Sequence, residues 1–550
     1  MGEISIFLGG QAGEGIKRGA LTIGKVFNRY GYRVFIMDDY GSIIRGGQDY
    51  SEIRVSSEEV LTSSGKFDFM FAFHKDVYER YKDKLKEGGI VILDGEEETN
   101  MPFQKFIMEL SAEPFMKSSV VIGALSFMAG LPFDFVEETF EEEFKDKSIK
   151  NVELAKKGFE FALEHNFHKK SLPRGYQEPL PILYGNDAIG LGAVRAGMKV
   201  YTAYPITPTS TLLDFLAKNS RRFGISVVHA EDEIAAIMMA IGASYASAPS
   251  MVGSSGPGID LMGEAISLAG GAEVPLVILD VQRAGPTTGM PTYTEQGDLN
   301  LVLNIGHGEF PRIVLVPGDI EEAFELTGKA FQYAWWYQIP VFILSDKHLS
   351  ESAKTCEIPV DAKFNVPIKY FDCEGGYKRY QITDDGISPI AFPGMKGIIN
   401  HTNSTEHTEE GYSSALPDNV KRMKEKRLKK MDTIKEDFLT EDCVKIYGDP
   451  NSKNILISFG STKGAILEAI EGLPVKFLQV QVLEPFPIKT VKNIFKSVTN
   501  IIDIEQNTTA QFGALLYAKT GVEVNHKILR YDGRPFEPLE LRERIEEALE

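Results

Sequence analysis

KVYTAYPITPTS, residues 199–210, is the most tightly constrained stretch of this chain and sets its fold class. Its first half, Val200 to Ala203, has the apolar and β-branched character of a short strand. Its second half cannot continue that strand, because Pro205 and Pro208 fix φ and lack N–H donors. A proline also pushes the residue before it toward extended geometry, so Thr207 is held rigidly just past a strand end. In an open parallel sheet, ligands bind in the crevice at the carboxyl ends of the strands. On this motif alone a stiff, ligand-free turn remains the other reading.

Further along, two more strand ends carry chemistry. ISVVHA (225–230) runs into Glu231-Asp232-Glu233, which opens a helical pattern, and PLVILDV (275–281) runs into QRAGPTTGMPT (282–292). Three strand-end loops would then bring a hydroxyl, a carboxylate and a guanidinium to one cleft. Acids at a helix start also serve the helix dipole, and an arginine at a strand end can simply be solvated, so each motif has a bland alternative. Two glycine-rich loops add to the picture. Gly253-Ser-Ser-Gly256-Pro257-Gly258 follows a strand, and Gly9-Gly10-Gln11-Ala12-Gly13-Glu14-Gly15 lies between the strand ISIFL and a helix from about Ile16 to Tyr30. Backbone amides converging with a helix N-terminus make an anion site by geometry. The spacing of the Gly9–Gly15 loop is neither GxGxxG nor a P-loop, although Asp38 and Asp39 end the next strand, where a dinucleotide enzyme keeps its ribose-binding acid. A tight strand-to-helix turn packed on glycines is the alternative. Arg45-Gly46-Gly47 ends a further turn.

The same alternation of short strands and helical periods recurs along the chain, which predicts α/β units with parallel sheets and crossover helices. The first spans 1–167. A polar, Pro- and Lys-rich stretch, 168–181, reads as a linker, and a second α/β unit covers 182–355. Residues 356–440 form an irregular insertion that ends in a basic helix, KRMKEKRLKKM, and 441–550 return to an α/β pattern. A multidomain fold suits 550 residues. Apolar residues are 43% and charged residues 25%, as in soluble globular chains, and no apolar run approaches the roughly 18 residues of a membrane span. The N-terminal run shows no secretory leader, so a cytoplasmic location is expected. A net charge of −19 argues against nucleic acid as a partner. Cys356, Cys373 and Cys443 are too widely spaced for a cluster or zinc motif, and no metal is expected on this chain.

YPITPT, EDEIAA, SSGPG and QRAGPTTGMPT, in this order, resemble the α subunit of 2-oxoacid:ferredoxin oxidoreductases. GGQAGEG with YGSIIRGG resembles the family's γ unit, fused in front, and DDGISPIAFPG, TEHTEEG and YDGRPFEP resemble the large subunit of the 2-oxoglutarate-type enzymes. The resemblance covers nearly the whole chain. It implies a γ-type doubly wound domain at 1–167, a thiamine-diphosphate pyrimidine-binding-type domain at 182–355 and a C-terminal transketolase-C-like α/β domain at 441–550.

The implied activity is coenzyme A-dependent oxidative decarboxylation of a 2-oxoacid, with 2-oxoglutarate favoured, passing electrons to ferredoxin and reversible. Glu233 would hydrogen-bond the thiamine pyrimidine, since Ala236, Ala240 and Gly242 stand at the offsets familiar from pyrimidine-binding domains and Glu231 falls out of that register. Tyr204, Pro205, Ile206, Gly256 and Gly258 would complete the cofactor wall. Thr207, Arg283 and Thr292 would bind substrate, the arginine pairing with its carboxylate. Gly10, Gly13 and Gly15 are the phosphate-facing residues expected for coenzyme A.

A Gly-Asp-Gly loop for magnesium and diphosphate is absent: Asp94, Asp385 and Asp532 precede glycines, but none follows one. Hard oxygen ligands are what magnesium demands. The magnesium, the other half of the thiamine site and the [4Fe–4S] relay are therefore expected on a β subunit, in a dimer of αβ heterodimers. Two other readings stand beside this one, a non-oxidative thiamine enzyme half and a noncatalytic assembly subunit.

Overall fold

The computed structural model describes residues 2–41, 47–95, 100–167, 169–175, 177–359, 361–372, 376–439 and 442–550, apart from the side chain of Lys147. Arg45, Gly46 and Cys373, singled out above, lie outside them. The chain forms two compact units. One comprises the chain up to Tyr184 with Glu351–Glu357 and Glu537–Leu541, and the other Gly185–Ser350, Ile358–Phe536 and Arg542–Glu550.

In the first unit, β1 (Glu3–Gln11), β2 (Arg33–Asp39), β3 (Gln48–Ser56), β4 (Phe67–Ala72) and β5 (Leu85–Leu93) share a sheet with two short strands, β6 (Ile182–Tyr184) and a segment at Ser352–Thr355. Its interior is built from strands buried on both faces, with Ile4, Ile6 and Leu8 in one cluster and Phe7 stacked on Tyr50 at 4.8 Å in another. β1, β4 and β5 run parallel, but β3 is antiparallel to both β1 and β2, so this sheet is mixed where crossover helices throughout were expected. The reason is connection length. Only residues 40–47 join β2 to β3, and a parallel crossover needs a dozen or more.

The second unit holds the fully α/β part. β7 (Val200–Ala203), β8 (Ser226–His229), β9 (Ser250–Ser254), β10 (Leu276–Gln282), β11 (Ile313–Leu315) and β12 (Pro340–Asp346) form a parallel sheet in the order β11-β12-β10-β9-β7-β8. With the Ser352–Thr355 strand counted as β13, the C-terminal sheet contains β14 (Val444–Gly448), β15 (Asn454–Ser458), β16 (Lys476–Val480), β18 (Asn500–Glu505) and β19 (His526–Leu529), while β17 (Val482–Glu484) crosses to pair with β11. One apolar core joins Val252, Ile278 and Phe342 of the first of these sheets to Ile455, Leu478 and Ile501 of the second.

Described residues of the 358–416 stretch contain no helix or strand beyond isolated bridges. The helix Pro417–Asp437, next in the chain, turns two of its lysines inward. Lys426 and Lys430 both meet the carboxylate of Glu273, which is 1% exposed, and Arg379 donates to its backbone carbonyl. Burial raises the Glu273 carboxyl, but three cations outweigh it and hold the group far below its ordinary range. Losing one partner of such a cluster strands an uncompensated buried charge, at a cost of about 3–5 kcal/mol.

Candidate active site

β8, β7, β9 and β10 are neighbours, and their register places Ala203 beside His229, Thr202 beside Val252 and Ser254 beside Asp280. Four carboxyl ends of parallel strands therefore open onto one edge, the arrangement that makes a ligand crevice. Each end delivers one of the motifs. After β7, Tyr204 and Pro205 are exposed and Ile206 and Thr207 half-buried, while Thr209 is buried and donates its Oγ1 to the Ser254 carbonyl at 2.7 Å. After β8, Asp232 caps the helix Glu233–Tyr245 by accepting from the Ala235 amide at 2.7 Å. Glu231 stays exposed, whereas Glu233 is buried.

Glycines make room for that carboxylate. A Cβ on Gly258 would lie 2.7 Å from both Cγ and Oε1 of Glu233 and closer still to Ser254 Oγ. One on Gly256 would meet Asp298 Oδ2 at 2.6 Å. Arg283, 7% exposed, donates from Nη1 to the Thr207 carbonyl at 2.7 Å, and the charges of Asp298 and Glu233 both act on it. Thr207, Glu233 and Arg283 are thus brought together, with the Thr207 carbonyl, rather than its hydroxyl, as the group on the guanidinium. Several buried polar atoms around them have no hydrogen-bond partner: Ser254 Oγ, Ser255 Oγ, Arg283 Nε and Thr292 Oγ1. Buried groups left unpaired cost about 1–3 kcal/mol each, and such a concentration marks a place built to receive polar atoms.

Two acids that sequence reading passed over lie behind the cleft. Asp280, fully buried in β10, has neither oxygen hydrogen-bonded, and burial together with Asp298 pushes its carboxyl well above the ordinary range. Asp298 is raised to about 7 by burial and by Glu295, with Arg283 pulling the other way. Asp280 signalled itself only as an aspartate inside the apolar run PLVILDV, which a buried strand does not ordinarily tolerate, and Asp298, in the polar stretch EQGDLN, gave no signal.

In the first unit, the Gly9–Gly15 loop leads into the helix Ile16–Arg29 as expected, but its amides are partly taken. The Glu14 carboxylate accepts from the Gln11 amide, from His74 Nε2 and from Lys117 Nζ, each at 2.8 Å. Burial raises its pKa, and those three partners together bring it below the ordinary value. Gly10 sits directly against this carboxylate.

This combination, a carboxylate and an arginine at the strand ends of a parallel sheet with a separate glycine-loop unit, defines an α/β chain built to bind a ligand or cofactor at its strand ends. Comparison with known proteins places it further. Residues 191–426 match the family model described as pyruvate flavodoxin/ferredoxin oxidoreductase, thiamine diP-bdg, and residues 5–162 match pyruvate ferredoxin/flavodoxin oxidoreductase. The 2-oxoacid:ferredoxin oxidoreductase subunit alpha of Sulfolobus sp is 32% identical, covering 100% of this chain and 96% of that protein. The 2-oxoglutarate oxidoreductase subunit KorA of Mycobacterium tuberculosis is 29% identical over 86% of this chain and 80% of its own length. Among solved structures, a 2-oxoglutarate:ferredoxin oxidoreductase from Magnetococcus marinus, with 2-oxoglutarate, coenzyme A and succinyl-CoA bound, superposes with a TM-score of 0.92 at 32% identity, over the full length of both chains. The chain belongs to the 2-oxoacid:ferredoxin oxidoreductase family, as an alpha subunit with the γ-type unit fused to the thiamine-binding unit. Among the described residues no helix is long and apolar enough to cross a membrane.

Proposed function

We propose that this chain, joined to a β subunit, converts a 2-oxoacid, coenzyme A and oxidised ferredoxin into the acyl-CoA, CO2 and reduced ferredoxin, reversibly and in the cytoplasm. 2-Oxoglutarate is the favoured substrate, on the strength of the KorA relative and the Magnetococcus marinus enzyme. The observation that carries the reading is Glu233, buried beside Gly258 and Ser254 and within the electrostatic reach of an arginine seated on Thr207.

Thiamine diphosphate, when bound, supplies the nucleophilic carbon and the electron sink that loss of CO2 requires. The residues present fit its aminopyrimidine half. Tyr204 and Pro205, exposed, and Ile206, half-buried, offer a rigid wall, and Gly256 and Gly258 leave room beside Glu233 that a Cβ would fill. Glu233 would hydrogen-bond the ring nitrogen of that half and could exchange a proton with it. Arg283 presents a planar fork to the substrate carboxylate, and the hydroxyls of Thr207 and Thr292 orient its remaining oxygens. Thr292 Oγ1, buried and unpartnered, is the hydroxyl with the most to gain.

Magnesium, the diphosphate contacts and the [4Fe–4S] relay belong to the β subunit, in a dimer of αβ heterodimers. Exposed Ile234, Met238 and Met239 on the Glu233–Tyr245 helix, with Leu261 and Met290 near by in sequence to the other motifs, are the apolar surface a β subunit would cover. Coenzyme A belongs to the first unit, at Gly10, Gly13 and Gly15, where an incoming phosphate would take Lys117 and His74 over from Glu14. In this scheme residues 1–167 act as the coenzyme A unit, 182–355 as the pyrimidine unit and 441–550 as its C-terminal support.

Glu233→Gln is the deciding variant. In the reconstituted αβ enzyme, with 2-oxoglutarate, coenzyme A and a viologen acceptor, it should lower kcat about 10²–10⁴-fold while leaving the complex assembled. Undiminished turnover would remove the thiamine role of this residue and, with it, the proposed site.

A further inference from the structure

The loop that carries Arg283 and Thr292 is tied down from outside the sheet that bears it. Its base is closed by Gln282, whose Oε1 accepts from the Asp298 amide at 3.0 Å and whose Nε2 donates to the Ser345 carbonyl at 3.1 Å. Its crown, residues 285–290, is exposed. Between base and crown stands Gln296, which has no accessible surface, and every one of its four polar groups is engaged by residues just past the ends of β15 and β18 of the C-terminal sheet. Its amide donates to the Gln506 carbonyl at 2.7 Å, and its Oε1 accepts from the Gln506 amide at 3.0 Å. The side-chain Nε2 donates to the Phe459 carbonyl at 2.8 Å, and the backbone carbonyl accepts from Asn507 Nδ2 at 3.2 Å. Gly460 belongs to the same fit, since a Cβ there would lie 2.8 Å from Gln296 Nε2.

Neighbouring contacts repeat the pattern. Gln511 Nε2 donates to the Gly297 carbonyl at 2.8 Å, the Thr294 amide to the Gly533 carbonyl at 3.2 Å, and the Arg534 guanidinium lies 3.9 Å from the Tyr293 ring centroid. Behind Asn507, the Glu505 carboxylate accepts from Asn507 Nδ2 at 2.6 Å and from the Phe512 and Gly513 amides. An apolar residue of glutamine's size would match the volume but orphan the Phe459 carbonyl and the Gln506 amide. Gln296 itself is fully satisfied, and a buried polar group engaged on every side specifies one arrangement of the groups it joins.

We infer that Gln296 is a positioning residue: gripped by the ends of β15 and β18, it sets the height of the Arg283–Thr292 loop, so that the C-terminal sheet controls recognition of the 2-oxoacid carboxylate without touching it. This rests on the reading that Arg283 meets that carboxylate. The distance sensitivity of such pairing makes the expectation large, because a misplacement of about 1 Å costs on the order of a hundredfold.

The experiment uses the αβ enzyme with Gln296→Leu, Arg283→Lys and the double variant, and reads kcat, KM for 2-oxoglutarate and the Kd for thiamine diphosphate by calorimetry. Gln296→Leu should raise the 2-oxoacid KM about tenfold or more with the thiamine diphosphate Kd unchanged, and the double variant should be no worse than Arg283→Lys alone. Gln511→Ala, at a half-buried position, is the milder probe and should move KM in the same direction even if Gln296→Leu does not fold. A lowered Tm with unchanged KM in whichever of these variants folds, or effects that simply multiply in the double variant, would overturn the inference. If Arg283→Lys leaves KM unchanged, it is the carboxylate assignment of Arg283 that has failed. If Arg283→Lys raises KM and neither glutamine variant does, the positioning role alone is lost.

Discussion

The two glycine-rich loops look alike on paper and use their glycines differently. In Gly9–Gly15, Gly13 and Gly15 have φ of +98° and +78°, a region that other residues enter at a cost of about 1–2 kcal/mol, and nothing lies within 4 Å of where a Cβ on Gly13 would be. In Gly253–Gly258, none of the glycines has positive φ, yet every Cβ would collide: Gly253 with Tyr201, Gly256 with Asp298, Gly258 with Glu233 and Ser254. At Gly13 the first loop needs glycine only for the path of the backbone, whereas Gly10 also makes room for the Glu14 carboxylate and Gly15 for the Phe115 carbonyl. The second needs it so that carboxylates and hydroxyls can reach the cleft. A glycine run can thus serve a site in two ways, by the path it gives the backbone amides or by the room its missing Cβ atoms leave for polar side chains.

Adding a single methyl to each loop tests this difference most severely. Gly258→Ala should displace Glu233 and lower kcat about a hundredfold, with a stability loss of about 1–3 kcal/mol from the forced contact. Gly13→Ala should cost about 1–2 kcal/mol of stability, and its kinetic effect, where present, should fall on the KM for coenzyme A and not on thiamine diphosphate binding. Matched kinetic profiles for the two variants would erase the distinction.

A smaller effect probes the acid that Gly256 accommodates. Asp298, raised to about 7 in the folded chain from an ordinary value near 3.8, holds its proton more tightly when folded. The stability it contributes is therefore complete below about pH 4 and is lost as the pH rises through 7. Asparagine mimics the protonated acid at every pH. Asp298→Asn should flatten the fall in Tm between pH 5.5 and 8, gaining on the order of 1–3 kcal/mol over the wild type at the upper end, less whatever Arg283 loses in an ionised partner. Parallel Tm curves for variant and wild type would show that the buried acid is not protonated as its surroundings require.

The parts of the fold and site that were legible in the sequence rest on local signals. Strands with apolar runs, prolines bracketing Thr207 and an acid opening a helix are all read within a dozen residues, and the structure gathers those three loops at one sheet edge. Choosing Glu233 over Glu231 relied on the register of a resemblance, and the helix then buries the first and exposes the second. β3 was not read as a strand at all, because QDYSEIRVS interleaves its apolar residues with charged and polar ones, and its antiparallel pairing with β2 went with it. With β3 recognised, the eight residues 40–47 would have dictated its direction, since a parallel crossover needs a dozen or more. Gln296 was out of reach altogether: its partners lie 163 to 211 positions further along the chain, and a glutamine in a polar loop carries no sign that it will be buried. The inward lysines of the Pro417–Asp437 helix were equally hidden, since a basic helix reads as a solvated face until Glu273 is placed beneath it.

The gentlest test returns to the first loop and asks whether its carboxylate is holding a place for something else. Glu14 sits below its ordinary pKa in the folded chain, so the stability it lends is present above about pH 4.5 and is lost on acidification. Lys117, only 4% exposed, depends on that charge. Glu14→Gln should therefore cost about 1 kcal/mol, at the lower end for a partly buried pair. Its kinetic consequence runs the opposite way. With the competing carboxylate neutralised, Lys117 and His74 face an anion unopposed, and the KM for coenzyme A should fall, whereas Lys117→Met should raise it. Should both variants raise KM together, Glu14 would be a structural brace for the loop, and the first glycine run would carry no anion site at all.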